Sequence, residues 1–402
     1  IYTLSLHDAL PILNITPSIT LAITAKAKEL KGAGVDVVSF GAGEPDFNTP
    51  KNIMEAAIKS MEEGKTKYTP TSGIIELREA ICKKLKEDNN LHYNSNQIIV
   101  STGAKQCLAD AFMAILNPGD EVIVPIPYWV SYPELIKLAD GMPVFVEGKE
   151  ENDYKYTLES LNKVVNNNTK AIIINSPNNP TGTVYSIEEL KEIAEFAKKH
   201  DLIIISDEIY EKLIYDGKKH VSVASLSEDA YNRTIVINGF SKSYAMTGWR
   251  LGYAAGNAEV IKLMTSVQSH VTSNANSIAQ YAGVEALNGP KDEIEKMVGK
   301  FEERRNLMID RIKNITGLSV IRPEGAFYVM INLENYLGKS INENVINNSV
   351  DFSRELLEHE KVAVIPGSAF GLDKYIRLSY ATSEELILKG LDRIESFLNK
   401  LK

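Results

Sequence analysis

Lys242 is the most informative lysine in the chain because of the residues around it. It lies within 239–252, GFSKSYAMTGWRLG, where small and apolar residues predominate, Ser241 precedes the lysine and Arg250 follows it. Apolar surroundings lower the pKa of an amine, and such a lysine can form a Schiff base with a carbonyl compound. Ser241 and Arg250 could bind phosphate, since a guanidinium fork matches phosphate oxygens. The stretch therefore predicts carbonyl chemistry at Lys242 beside a phosphate site.

Three further polar stretches allow chemistry, although each has an ordinary structural explanation. Asp207, in the segment SDEIY that also contains Tyr210, could simply cap a helix after an apolar strand. Asn179 belongs to NSPNNPTG, which is typical of a rigid double-proline turn at the edge of a sheet. The segment STGAK precedes a helical run, and backbone N–H groups at a helix N-terminus bind phosphate without a basic side chain. In this third segment the candidate phosphate-binding residues are Gly103, Ala104 and Lys105.

The elements that would carry these residues alternate along the middle of the chain. Short β-branched runs are separated by amphipathic helical patterns, such as Ile187–Lys199 after the capping signal at Ser186. This alternation predicts an α/β fold with a mostly parallel sheet flanked by helices, whose ligands bind beyond the C-terminal strand ends. Asn175, Asp207 and Gly239 lie at or just after such ends. The predicted strands are Gln97–Val100, Glu121–Pro125, Ala171–Asn175, Leu202–Ser206, Thr234–Asn238 and Leu251–Ala255.

A second, smaller α+β unit is predicted beyond Gly289-Pro290. We expect a large domain over 45–289 and a small one over 290–402, with the N-terminal segment 13–44 joining the small domain. A helix is expected over Ala22–Lys31. The first 12 residues share no pattern with it and resemble translated vector sequence, so we expect them to be non-native. The other predicted elements of the small domain are a long helix at about 291–314, strands at Leu318–Ile321, Ala326–Leu333, Val362–Ile365 and Tyr375–Ser379, and a final helix at about Ser383–Leu401.

The composition restricts the partners of the protein. A length of 402 residues with 44% hydrophobic residues supports two or three domains. The net charge of −9 argues against nucleic acid or an anionic membrane as the main partner. No apolar run approaches the roughly 20 residues that span a bilayer. Two cysteines fit no metal spacing, and we expect a cytoplasmic protein without a metal.

Together these stretches resemble the class I aminotransferases, enzymes of fold type I that use pyridoxal 5′-phosphate (PLP), and specifically their prokaryotic aspartate aminotransferase subgroup. The resemblance covers about 13–402 and includes FGAGEPDF at 40–47, KY at 67–68, PYW at 127–129 and IRLSYA at 376–381. It implies a homodimer in which each active site is built from both subunits. Amino transfer would follow a ping-pong scheme through a Schiff base with Lys242.

The resemblance also implies a role for each candidate residue. Lys242 would attach the cofactor and move the substrate proton, while Asp207 would pair with the pyridine nitrogen. Tyr210 and Asn179 would donate to the phenolic oxygen of the cofactor, and Trp129 would stack on its ring. Tyr68 would reach the cofactor phosphate of the partner subunit. The remaining implied cofactor contacts are Gly103, Ala104, Lys105, Ser241 and Arg250, and the implied substrate contacts are Gly43, Trp129, Asn179 and Arg377, the last binding the α-carboxylate.

The subgroup implies L-aspartate and 2-oxoglutarate as substrates, but alternatives remain. Related enzymes act on aromatic amino acids, alanine or prephenate, and a PLP β-lyase that cleaves C–S bonds is a further alternative. The segment that the partner subunit would supply, Ser266–Asn274, contains His270 but neither Arg nor Lys. A PLP-sensing regulator would need an added DNA-binding domain, for which this chain has no spare length.

Overall fold

Helices surround the sheets of this protein on several sides. A computed structural model of the chain describes residues 15–17 and 19–402. The predicted non-native segment 1–12 lies outside the described residues. The helices, numbered α1 to α13, are Ile19–Gly32, Lys51–Glu62, Ile75–Asn89, Ala104–Ile115, Ser131–Leu138, Leu158–Asn162, Ile187–Lys199, Glu228–Arg233, Ala258–Val271, Ser277–Asn288, Asp292–Lys313, Ser349–Glu360 and Glu384–Lys400.

The strands form one large sheet and several small ones. The strands, numbered β1 to β15, are Val38–Ser39, Ile98–Ser101, Glu121–Ile126, Met142–Glu147, Thr169–Asn175, Ile203–Asp207, Thr234–Gly239, Gly252–Ala255, Ser319–Val320, Tyr328–Asn332, Ser340–Ile341, Asn344–Val345, Val362–Ala363, Ile365–Pro366 and Tyr375–Ser379. The large sheet has seven strands in the order β2-β8-β7-β6-β5-β3-β4. Only β8 runs antiparallel to its neighbours, β2 and β7. The fold class predicted from the sequence is confirmed.

The local sequence explains why these elements form and where they end. Strand β7 is buried along its whole length, as expected for a strand covered by helices on both faces. Helix α7 begins after Ser186, whose hydroxyl accepts from the Glu189 backbone N–H at 3.2 Å, while the Glu189 carboxylate accepts from Ser186 N at 2.6 Å. This is the capping box that the sequence predicts. Helix α13 begins after Ser383, whose hydroxyl accepts from the Leu386 backbone N–H at 3.3 Å.

The second unit contains a four-stranded antiparallel sheet in the order β14-β15-β10-β9. Helix α1 packs against this unit at β13 and β14, and the long helix α11 packs against α13. The single strand predicted over 362–365 is wrong. The chain instead passes from one sheet to another at Val364, because β13 pairs with β1 whereas β14 pairs with β15.

The three central strands of the large sheet bring their polar ends together. Strands β5, β6 and β7 are neighbours and end at Asn175, Asp207 and Gly239. Asn175 lies opposite Asp207 in the register of the sheet. The side-chain amide of Asn175 also donates to the Asp207 carbonyl oxygen at 3.0 Å. In the described part of the chain, no helix is long and apolar enough to cross a membrane.

Candidate active site

A cavity of about 460 Å³ lies where these strand ends meet the second unit. Its wall contains residues from both parts of the chain, with Asp207 at the end of β6, Lys242 after β7 and Arg377 from β15. Nearly all of the predicted site residues line it. The predicted residues on the wall are Gly43, Ala104, Lys105, Trp129, Asn179, Asp207, Tyr210, Ser241, Lys242, Arg250 and Arg377.

Lys242 follows β7 and presents its amine to the cavity. Its Nζ donates to the carbonyl oxygen of Gly43 and lies 5.8 Å from the ring centre of Tyr210 and 5.6 Å from that of Phe327. Burial lowers the pKa of the Lys242 amine to about 8, and the Glu44 carboxylate opposes this effect. A side chain of this kind can both accept and return a proton near neutral pH.

Asp207 is held deep in the wall at the end of β6. Its carboxylate accepts from the Tyr132 hydroxyl at 2.6 Å and from the Ile209 backbone N–H at 3.2 Å. Burial raises the pKa of Asp207 to about 6, although the Tyr132 hydroxyl acts in the opposite direction. No helix begins at Asp207 in the described chain, so the helix-capping explanation is wrong. The carboxylate is placed to bind a positively charged group that enters the cavity.

Arg377 is buried in the opposite wall, with 4% of its surface exposed. Its Nη1 donates to Asn179 Oδ1 at 3.0 Å, and its guanidinium lies over the ring of Tyr328 at 4.2 Å. Nε has no partner, and no carboxylate of the described residues lies within 4.0 Å of the guanidinium. A buried cation without a counter-charge is unfavourable. The arrangement is therefore that of an anion-binding site.

Arg250 lies beside the N-terminus of α4. A Cβ added to Gly103, which has a φ of +85°, would lie 2.6 Å from Arg250 Nη2, so only glycine lets the guanidinium approach the helix end. Arg250 Nη1 donates to the Thr247 carbonyl at 2.7 Å, and no carboxylate within the described chain pairs with this arginine. A guanidinium beside a helix N-terminus is a favourable place for a phosphate group.

The structure adds a side-chain contact at Lys105, and the role of Tyr68 in the partner subunit stays a prediction. We expected Lys105 to contribute its backbone alone, but its ammonium group lies 5.0 Å above the ring of Trp129 inside the cavity. Burial and then the charge of Arg250 lower the pKa of Lys105. Tyr68 is outside the cavity of its own chain and is 92% exposed.

Sequence reasoning missed several residues on the cavity wall, four of which are Tyr132, Tyr328, Glu44 and Phe370. Tyr132 binds Asp207, and Tyr328 shares a hydrogen bond of 3.0 Å with Tyr210, either hydroxyl being able to donate. Glu44 and Phe370 also line the cavity. The only signal for these residues in the sequence was the position of Glu44 within the segment FGAGEPDF, because the other three come from parts of the chain without a motif.

The residues present fit pyridoxal phosphate. This cofactor has a phosphate group, an aldehyde and a basic ring nitrogen. One cavity contains a guanidinium at a helix N-terminus, an amine with a lowered pKa and a buried carboxylate, which correspond to those three groups. Asn179 accepts from Arg377 through Oδ1, so the donor end of its amide is directed away from the guanidinium, as a cofactor oxygen would require.

Comparison with known proteins establishes the class. Residues 35–394 match the family described as aminotransferase class I and II, and the chain belongs to that family. It is an aminotransferase, an enzyme that transfers amino groups.

Individual relatives cover nearly the whole chain. The aspartate aminotransferase of Bacillus subtilis is 54% identical over 387 residues, which is 96% of this chain and 97% of that protein. A protein of Aquifex aeolicus named as a probable aspartate/prephenate aminotransferase is 50% identical over 390 residues, covering 96% and 98%. The structure of the Thermus thermophilus aspartate aminotransferase with maleate superposes with a TM-score of 0.92 at 43% identity, covering 98% of this chain and 100% of that one.

Proposed function

We propose that this protein is a PLP-dependent aminotransferase that transfers the amino group of L-aspartate to 2-oxoglutarate. The observation that carries the proposal is the composition of the cavity. It contains a lysine with a pKa of about 8, a buried aspartate and two arginines that lack a carboxylate partner among the described residues. The two arginines, Arg250 and Arg377, provide one place for a phosphate and one for a carboxylate.

The chain's own residues would hold the cofactor at both ends. When bound, PLP supplies an electron sink that stabilises negative charge at the substrate Cα. Arg250, Ser241 and the N-terminus of α4 would bind its phosphate. Asp207, fixed by Tyr132, would hold a proton on the ring nitrogen, and Tyr210 and Asn179 would bind the phenolic oxygen. Trp129 would cover one face of the ring and exclude water from it.

Lys242 would carry the proton between the two positions where the reaction needs it. Its amine lies in the cavity with a pKa of about 8, so at neutral pH it can exchange a proton without a large energetic penalty. In the first half-reaction it would take the Cα proton of the amino acid. In the second half-reaction it would deliver a proton to the Cα position of the new amino acid.

Arg377 would fix the orientation of the substrate. Its guanidinium is positioned by Asn179 and by the ring of Tyr328, and Arg377 lines the cavity. Two parallel hydrogen bonds to the α-carboxylate would set the Cα–H bond within reach of Lys242. Gly43 lies beside Lys242 and leaves space there, since a Cβ at this position would meet only the Tyr328 hydroxyl at 3.7 Å.

The choice of a dicarboxylic substrate rests on a further cation in the cavity. The ammonium of Lys105 lies above the ring of Trp129, has no other role in this scheme, and could bind a side-chain carboxylate. The name of the Bacillus subtilis relative includes aspartate, and maleate in the Thermus thermophilus structure is itself a dicarboxylate. Prephenate also has two carboxylates, and it appears in the name of the Aquifex aeolicus relative. It is therefore the second candidate for the amino acceptor.

We further propose that the enzyme is a cytoplasmic homodimer with shared active sites. Tyr68 is a large aromatic residue that is 92% exposed on a single chain, and this supports its burial by a second copy. Cys82 and Cys107 are free thiols, which supports a reducing compartment.

A panel of amino donors with 2-oxoglutarate tests the proposed reaction. We expect glutamate to form with aspartate and to form much more slowly with alanine and phenylalanine. Prephenate should be offered as acceptor with aspartate or glutamate in a second arm. A third arm supplies cystathionine and measures pyruvate and ammonia. Release of pyruvate and ammonia without glutamate from any donor would contradict the proposal and indicate a β-lyase.

A further inference from the structure

Glu44 is the one acid besides Asp207 among the described residues that line the cavity. The reaction described above gives Asp207 a role but leaves Glu44 without one. Glu44 follows Gly43 in the turn after β1, and its side chain is exposed to the cavity rather than buried in the core. A carboxylate in a cavity that receives anionic substrates repels them unless a nearby cation or hydrogen-bond donor offsets its charge.

Two hydrogen bonds join the Gly43–Glu44 turn to the segment that carries Lys242. The Thr247 hydroxyl donates to Glu44 Oε2 at 2.6 Å, and Lys242 Nζ donates to the Gly43 carbonyl. The Thr247 carbonyl in turn accepts from Arg250 Nη1 at 2.7 Å. Glu44 is therefore fixed by the same loop that presents the lysine and the phosphate-binding arginine.

The charges around Lys242 would otherwise disfavour its ammonium form. Burial lowers the pKa of Lys242, and Arg377 and Arg250 lower it further, whereas Glu44 and Asp207 raise it. Glu44 has the largest influence after burial. The ring of buried Tyr210 also lies near the amine, and the Tyr210 hydroxyl shares a hydrogen bond with that of buried Tyr328.

We propose that Glu44 is a positioning residue of the transfer reaction, which balances the charge of the Lys242 amine and fixes it through Thr247 and the Gly43 carbonyl. The proposal rests on the proposed function, because it concerns the proton that Lys242 moves. In this role the Glu44 carboxylate offsets the effect of the two arginines on Lys242, and it keeps the lysine able to hold a proton between its two transfers.

The chain offers variants that separate charge from contact. Glu44→Gln removes the charge but keeps the size of the side chain, and its amide oxygen can still accept from Thr247. Glu44→Asp keeps the charge. Glu159→Gln is the matched control, since it removes the same charge from a side chain that is 80% exposed and paired with Lys163 on the surface.

The test measures the reactivity of Lys242 in the apoenzyme. Each protein, freed of cofactor, is labelled with a trace of acetic anhydride from about pH 6 to about pH 10, and the Lys242 peptide is quantified by mass spectrometry. We expect the midpoint of labelling to fall by about one pH unit in Glu44→Gln, because loss of a nearby opposite charge disfavours the ammonium. Glu44→Asp and Glu159→Gln should keep the parent midpoint. Equal midpoints for Glu44→Gln and the parent would overturn the proposal.

A second readout uses the working enzyme. The acidic limb of the pH profile of kcat should move to lower pH in Glu44→Gln by about the same shift, because Lys242 then loses its proton more readily. An unmoved limb would also count against Glu44. The labelling experiment needs no transamination, so a failure of the proposed function leaves its result unaffected, and the two failures can be told apart.

Discussion

At Arg377, a buried guanidinium binds a neutral amide and lies over an aromatic ring instead of pairing with an acid. Burial lowers the pKa of Arg377, which shows that the folded protein disfavours the charge at this position. A bound carboxylate would remove that disadvantage, and this supports the proposed role of Arg377 in binding the substrate.

The first prediction concerns the geometry of Arg377. Arg377→Lys keeps the positive charge but loses the planar fork that makes two parallel hydrogen bonds. We expect kcat/KM to fall by about 100-fold or more, since hydrogen bonds to charged groups contribute about 1.5–3 kcal/mol each. The loss should be similar for acidic and neutral donors because all have the α-carboxylate. A loss confined to dicarboxylic donors would mean that Arg377 binds the side-chain carboxylate.

Residues within motifs could be predicted from the sequence, and their partners could not. Lys242, Asp207 and Arg250 belong to segments in which neighbouring residue types indicate the chemistry. Tyr132 donates to Asp207 across 75 positions of sequence, and Tyr328 meets Tyr210 across 118. Such contacts depend on how helices and strands pack, which periodicity does not specify.

At the scale of single elements, helix α4 has the proposed phosphate site at its N-terminus and a buried aspartate near its middle. Its N-terminus adjoins Arg250, while Asp110 near its middle is fully buried and accepts from Gln106 at 2.6 Å. Asp110 Oδ2 has no partner, and burial raises the pKa of Asp110 to about 6. Between about pH 4 and pH 6, Asp110 is therefore protonated in the native protein, whereas in the unfolded chain it ionises near its ordinary pKa of 3.8.

Asp110→Asn should stabilise the protein in a pH-dependent way. Because the folded pKa of Asp110 is raised, its contribution to stability is complete below about pH 4 and is lost as the pH rises through about 6. Asparagine cannot ionise and can still accept from Gln106. We expect its advantage in free energy of unfolding to be about 1 kcal/mol larger at pH 8 than at pH 5. Urea unfolding at both pH values measures this.

The control for Asp110→Asn is Asp201→Asn, whose side chain is 99% exposed. Its effect on stability should differ little between the two pH values. An Asp110→Asn advantage that is constant with pH, or larger at pH 5, would show that the acid is ionised in the native state.

At the level of elements, the sequence predicts most of what the structure contains. Buried strands such as β7 and capped helices such as α7 and α13 carry their own signals, and their bounds lie close to those predicted. The error at 362–365 has a physical cause. The apolar run over 362–365 is continuous, and nothing in it indicates that β13 pairs in one sheet and β14 in another.

For the whole molecule, the domain boundaries and the shared active site remain predictions. Tyr68 gives the shared site its clearest test, because it is exposed on one chain and would act in the site of the other. We expect Tyr68→Ala to bind the cofactor weakly and Lys242→Ala to be inactive. When the two variants exchange subunits, each mixed dimer should regain one intact site.

The mixing experiment has a numerical expectation. Random exchange of equal amounts should restore about a quarter of the parent activity, since half of the dimers are mixed and each has one intact site of two. Sedimentation should confirm that the species are dimers. No recovery after proven exchange would place Tyr68 outside the site of the partner.

The most direct test of the account is the identity of the residue that holds the cofactor. The protein should be yellow after incubation with PLP, and borohydride reduction should attach the cofactor irreversibly to the peptide that contains Lys242. Peptide mass spectrometry reads the position, and Lys242→Ala should show no label there and negligible transamination. A label on any other lysine, or full activity of Lys242→Ala, would contradict the central claim.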